Sequence, residues 1–129
     1  MPQETTEVTQ GDGYAVGNLE AMGEGPGFRK VRRELDVSEF GVNAIVIPAG
    51  YESNAHYHDE QEELYFVHSG TLQFTFGEDE QVTLGPGGLA RVDASTHRRV
   101  KNVGDGDAVY VCVGAKGGYV GRDGQPVDG

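Results

Sequence analysis

Tryptophan is absent from the 129 residues, cysteine occurs once, and lysine is confined to Lys30, Lys101 and Lys116. With Cys112 alone, no intrachain disulfide framework is possible, and a reducing compartment is the natural home. No apolar run reaches membrane-spanning length. The opening Met1-Pro2-Gln3-Glu4-Thr5-Thr6-Glu7 is acidic and lacks the apolar stretch of a secretory leader, so a cytoplasmic location is expected. Positive charge is scarce too. Against 21 acidic residues stand 10 basic ones, a net charge of −11 that makes nucleic acid and anionic membrane surfaces poor partners. A sustained helical apolar period is also missing.

What is present is glycine, 21 of it, between short apolar runs that make up part of the 36% hydrophobic content. That pattern, in a chain long enough for one core, predicts a single all-β barrel or sandwich. Residues 1–13 are polar and expected to be poorly ordered unless a partner strand pins them, 14–113 form the barrel domain, and 114–129 are a glycine-rich tail. Within the domain, Tyr14 to Leu19 reads as a short strand. Phe28 to Leu35 carries four basic residues and reads as a solvated strand pairing with carboxylates, or alternatively as an anion-binding patch. Val42 to Ile47 is apolar at nearly every position, as for a strand covered on both faces, and Thr71 to Phe76 alternates with Leu72, Phe74 and Phe76 inward. Gln81 to Leu84 and Ala108 to Val113 complete the strands read from pattern.

Chemistry concentrates between Gly50 and Gly70. His56 and His58 are two apart, so on an extended backbone both imidazoles point to one face, about 6.5 Å apart. Glu63 opens the run Leu64-Tyr65-Phe66-Val67, and a turn over Asp59 to Glu62 brings its carboxylate back beside the pair. Two neutral imidazoles and a carboxylate form a facial donor set that leaves coordination positions free. Tyr65 shares the Glu63 face and is a pocket candidate, His68 lies on the opposite face, and Cys112 reads as a small buried hydrophobe.

The stretch resembles the first motif of the cupin family: a glycine, five residues, His-x-His, four residues, a glutamate, six residues and a glycine. Gly50, His56, His58, Glu63 and Gly70 fill these places, and the resemblance extends over roughly Phe40 to Val113. It implies a jelly-roll β-barrel with a divalent metal in its mouth, and a homodimer formed through the N-terminal strands. The family's second motif is a glycine, five residues, Pro-x-Gly, two residues, a histidine, three residues and an asparagine. Here Gly87 and Asn102 match its ends, Asp93 and Ser95 replace proline and glycine, and Arg98 stands where the fourth metal-ligating histidine would be.

Strand alternation checks this independently. Arg98, Val100 and Asn102 share one face and His97, Arg99 and Lys101 the other, so the apolar side chain puts Arg98 inside and His97 in water. A bulge after a loop one residue shorter would bring His97 in instead. Arginine offers a metal no lone pair, but its donor fork suits a carboxylate. Two functions fit. One is a mononuclear metal-dependent enzyme of oxygenase or isomerase type, with His56, His58 and Glu63 on Fe(II), or on Mn(II), Ni(II), Co(II) or Zn(II), and Arg98 and Tyr65 contacting a small anionic or enolisable substrate. The other is a non-catalytic binding module whose pocket holds an anion through Arg98.

Overall fold

A computed structural model describes residues 4 and 6–115. Among these residues ten strands run β1 (Thr9–Gln10), β2 (Ala15–Val16), β3 (Gly27–Arg29), β4 (Gly41–Ile47), β5 (Glu62–Ser69), β6 (Leu72–Phe76), β7 (Glu80–Leu84), β8 (Leu89–Val92), β9 (Arg98–Asn102) and β10 (Ala108–Ala115). All pairings are antiparallel. A five-stranded sheet is ordered β3-β4-β10-β5-β8, a three-stranded one β7-β6-β9, and β1 pairs β2. No helix among the described residues is long and apolar enough to cross a membrane.

The core forms where the inward faces of the two larger sheets meet. In β5 the alternation is complete, with Glu63, Tyr65 and Val67 buried and Glu62, Leu64, Phe66 and His68 exposed. Leu72 and Phe74 from β6 and Val100 from β9 pack against Ile45, Ile47, Tyr65, Val67 and Tyr110. Phe74 meets Tyr65 edge-on at 5.5 Å and stacks on Phe76 at 6.0 Å, aromatic geometries that add to the area they bury.

Two local readings of the N-terminal third are corrected. The basic run is not one strand: β3 ends at Arg29, and Val31–Leu35 is a short helix, α1, closed by Asp36 in the left-handed conformation at φ 58°. Val31 and Leu35 are four apart, one helical turn, and α1 packs on β4. The strand expected over Tyr14 to Leu19 shrinks to β2, because Asn18 caps a 3-10 turn over Leu19–Ala21, its Oδ1 accepting from the Glu20 amide at 3.0 Å. At the other end β10 extends to Ala115; the remainder of the expected tail lies outside the described residues.

The two motif glycines of the first half are required for different reasons. Gly50 has φ +82° with open space around it, so backbone conformation alone excludes a side chain. Gly70, where β5 turns into β6, has φ +85°, and a Cβ there would lie 2.6 Å from the Ala108 Cβ and 2.8 Å from its Cα. Both neighbours are fixed by β10, so neither can yield. Gly70→Ala is expected to cost about 2–3 kcal/mol, read as a lowered urea midpoint with an unchanged m-value.

Candidate metal centre

The two sheets supply the candidate donors separately. Glu63 projects inward from β5, while His56 and His58 sit on an irregular arm that runs beside β9. The arm is laced by backbone bonds: Ser53 N to Val100 O at 2.8 Å, His56 N to Arg98 O at 3.0 Å, Arg98 N back to His56 O at 2.9 Å, and His58 N to Ala94 O at 2.8 Å. Asn102, the last residue of the second motif, anchors its base. It is 1% exposed, donates to Ile47 O and Gly106 O, and accepts from the Gly104 amide, which satisfies the whole side-chain amide internally.

One donor atom from each of His56, His58 and Glu63 lies within 4.8 Å of the others, a group that could hold a metal ion. The imidazoles are edge-on, with centroids 5.2 Å apart and planes at 89°. His58 Nε2 is 3.2 Å from Glu63 Oε2 and His56 Nε2 3.9 Å from Oε1. Donors set around an ion at about 2.1 Å stand about 3 Å apart, so the residues present fit a divalent cation.

The carboxylate is held by two side chains. The Tyr65 hydroxyl donates to Oε1 at 2.6 Å and the Gln61 amide to Oε2 at 3.3 Å, and Cys112 lines the same chamber. Burial works to raise the Glu63 carboxyl, yet the Tyr65 bond, His58, Cys112 and Arg98 together hold it below its ordinary value. Burial and then Arg98 depress the His56 imidazole, which keeps its lone pair free for a metal. Burial and the Glu63 charge push the Cys112 thiol up to about 12. Tyr65 and Tyr110 are raised as well, first by burial.

Arg98 faces inward and is fully buried, whereas His97 is exposed and stacks on Tyr57 at 4.8 Å outside the donor group. Arg98 Nη2 donates to Asp93 O at 2.8 Å; Nε and Nη1 have no hydrogen-bond partner, and among the described residues no carboxylate pairs with this guanidinium. His58 Nε2 is orphaned too, because its approach to Glu63 is poorly aligned.

A chamber of about 330 Å³ contains His56, His58 and Glu63, with Tyr65, Gln61 and Cys112 in its wall. Beside it lies a second chamber of about 410 Å³, apolar in most of its lining, which shares His56 and Tyr65 with the first. Arg98 borders neither and acts on the group through its charge. Sequence reasoning missed Gln61 and the place of Cys112 in the chamber wall. The i, i+2 spacing of Gln61 and Glu63 carried the first; the second depends on Cys112 lying opposite Tyr65 in the β10–β5 register.

Comparison with known proteins agrees with this fold. A family model described as Cupin domain matches residues 43–114, more than half the chain and inclusive of all three donors and Arg98. A cupin protein from Bacteroides fragilis superposes with a TM-score of 0.66 at 23% identity, covering 79% of this chain and 88% of that one. The Cnp3 cupin domain of Schizosaccharomyces pombe gives 0.58 at 16% identity over 62% and 58% of the two chains. A predicted oxalate decarboxylase from Thermotoga maritima gives 0.55 at 20% identity over 59% and 65%. No curated protein matches the sequence. With a jelly-roll β-fold and a His/His/Glu group at the places its motif prescribes, this chain belongs to the cupin family.

Proposed function

We propose that this cupin is a mononuclear metal-dependent enzyme, of oxygenase or isomerase type, that acts on a small anionic or enolisable molecule. The observation that carries the reading is where the unsatisfied groups are: among the described residues, the buried side-chain nitrogens without a partner are His58 Nε2, Arg98 Nε and Arg98 Nη1. Orphaned polar atoms cost roughly 1–3 kcal/mol each, and here they gather around one donor group rather than scattering through the core.

His56, His58 and Glu63 would hold the ion, Fe(II) by preference for a facial set of two imidazoles and a carboxylate, with Mn(II), Ni(II), Co(II) and Zn(II) also compatible. Bound there, the ion would supply Lewis-acid polarisation of a substrate oxygen and, for a redox metal, a place for O2. Tyr65 fixes the carboxylate and lines both chambers, which makes it the side chain that a ligand beside the donors would meet. The Arg98 cation, fully buried and paired across from His56, adds a positive potential that favours an acidic ligand.

Metal analysis of protein purified without chelators is expected to return close to one equivalent of a first-row transition metal. Returning the metal, at about 100 times its dissociation constant, to protein stripped by a chelator should stabilise the fold by about 2.7 kcal/mol, seen as a raised Tm. Less than about 0.2 equivalent together with an unmoved Tm would falsify the proposal. A non-catalytic binding module is favoured by a different observation. Tyr65, Tyr110 and Cys112 line the donor chamber with raised pKa values, so none of the three is poised to accept a proton. A stoichiometric small acid recovered from the purified protein, with no turnover of it under air, would support that reading.

A further inference from the structure

The donor chamber lies between two recesses of opposite character. On one side is the apolar chamber, walled by Ile45, Ile47, Pro48, Val100 and Tyr110. On the other is an open recess of about 450 Å³ lined by Lys30, Arg32, Arg33 and Asn43. Phe28 borders all three spaces, and Asn43 joins the donor chamber to the basic recess. Register explains the order. Phe28 pairs with Ile45 at the middle of β4, Asn43 is two residues toward one end and Ile47 two toward the other, all three on the inward face. At about 3.3 Å per residue the line from Asn43 to Ile47 is about 13 Å long.

Charge sharpens the contrast. In a chain of net charge −11, four of the ten basic residues, Arg29, Lys30, Arg32 and Arg33, fall within five positions. Arg29 is buried and donates to Gly25 O. Arg33 reaches Glu34 at 3.5 Å, Arg32 donates to the Val37 carbonyl, and among the described residues neither Arg32 nor Lys30 has an ion pair. The recess is thus a local positive field at the entrance to a pocket in an otherwise acidic protein, the arrangement that draws in and orients an anion.

We propose that the ligand of this site is an amphipathic oxo acid: an aryl or alkyl group in the apolar chamber, a carbonyl or enol oxygen at the His56/His58/Glu63 group, and a carboxylate in the Lys30/Arg32/Arg33 recess. This rests on the metal-site reading above and adds the class of molecule. Phe28, 59% exposed at the junction, covers the middle of such a ligand.

Calorimetry on the full chain tests both layers in one series. Mn(II) is titrated first into protein freed of metal by chelation, and the loaded protein then receives 3-benzoylpropionate, its methyl ester, or levulinate, in which methyl replaces phenyl. The acid is expected to bind at least about tenfold tighter than the ester, for a charge-assisted contact, and at least about tenfold tighter than levulinate, for the buried ring. In the double variant Lys30→Glu/Arg32→Glu, the preference for acid over ester should fall below about twofold. A chain that takes up Mn(II) but binds acid and ester alike, or keeps the preference in the double variant, overturns the role of the recess. Levulinate binding as tightly as 3-benzoylpropionate overturns the role of the apolar chamber. Failure to take up Mn(II) overturns the metal-site reading and this inference with it.

Discussion

His58→Ala is expected to weaken binding of Mn(II) or Co(II) by at least about 1,000-fold, roughly 4 kcal/mol, measured by calorimetry. The imidazole is one of three candidate donors, and its Nε2 has no hydrogen bond in the fold to lose. What holds the arm at this point is the backbone bond from His58 N to Ala94 O, which alanine keeps. The loss should therefore appear in metal affinity and not in the far-ultraviolet spectrum or urea midpoint of the metal-free protein. His97→Ala is the matched control: its ring is exposed and stacked on Tyr57, away from the donors, so affinity should stay within about threefold. If His97→Ala strips the metal instead, the ligand set has been misassigned.

Arg98→His should move affinity the other way, tightening binding by roughly 100-fold. The substitution removes a fixed positive charge that acts on both His56 and Glu63, and it puts a fourth nitrogen donor where the family's second motif carries a histidine. Position 98 forms a hydrogen-bonded pair with His56 across the arm, so the new imidazole would emerge beside an existing one and on its face. Little stands against the change. The guanidinium makes one hydrogen bond, to Asp93 O, and its remaining donors include two orphans. Removing a buried, unpaired charge of this kind is neutral or stabilising as a rule. Unchanged or weaker Co(II) binding, with an unaltered visible spectrum, would mean that position 98 does not reach the ion.

The candidate donor group was legible in the sequence because each of its spacings has a local geometric meaning. His56 and His58 share a face at i, i+2, and Glu63 and Tyr65 share another at the start of an alternating strand. Arg98 and His97 were separable for the same reason, since Val100 marks the inward face of β9. What sequence could not supply was register between distant strands. Cys112 lines the Glu63 chamber because β10 lies beside β5 in one alignment, and Phe28 borders all three recesses because it pairs with Ile45 at the sheet edge. Helix α1 escaped for a different reason: five residues give less than two turns, too few for a period to be told from the alternation of a charged strand.

The division of the donors between two sheets gives the ion a mechanical part. Glu63 belongs to the five-stranded sheet and the histidines to an arm sewn onto the three-stranded one, so any ion bound by all three is a rivet through both walls of the barrel. Prising the walls apart then requires breaking a coordination bond as well as exposing the core. Amides of Ser53, His56 and His58, whose bonds close the arm onto its neighbours, should exchange with solvent deuterium more slowly once the rivet is in place. Loss of the ion would loosen the barrel first along that seam, so the protein's resistance to proteolysis would follow metal supply even where no substrate is present.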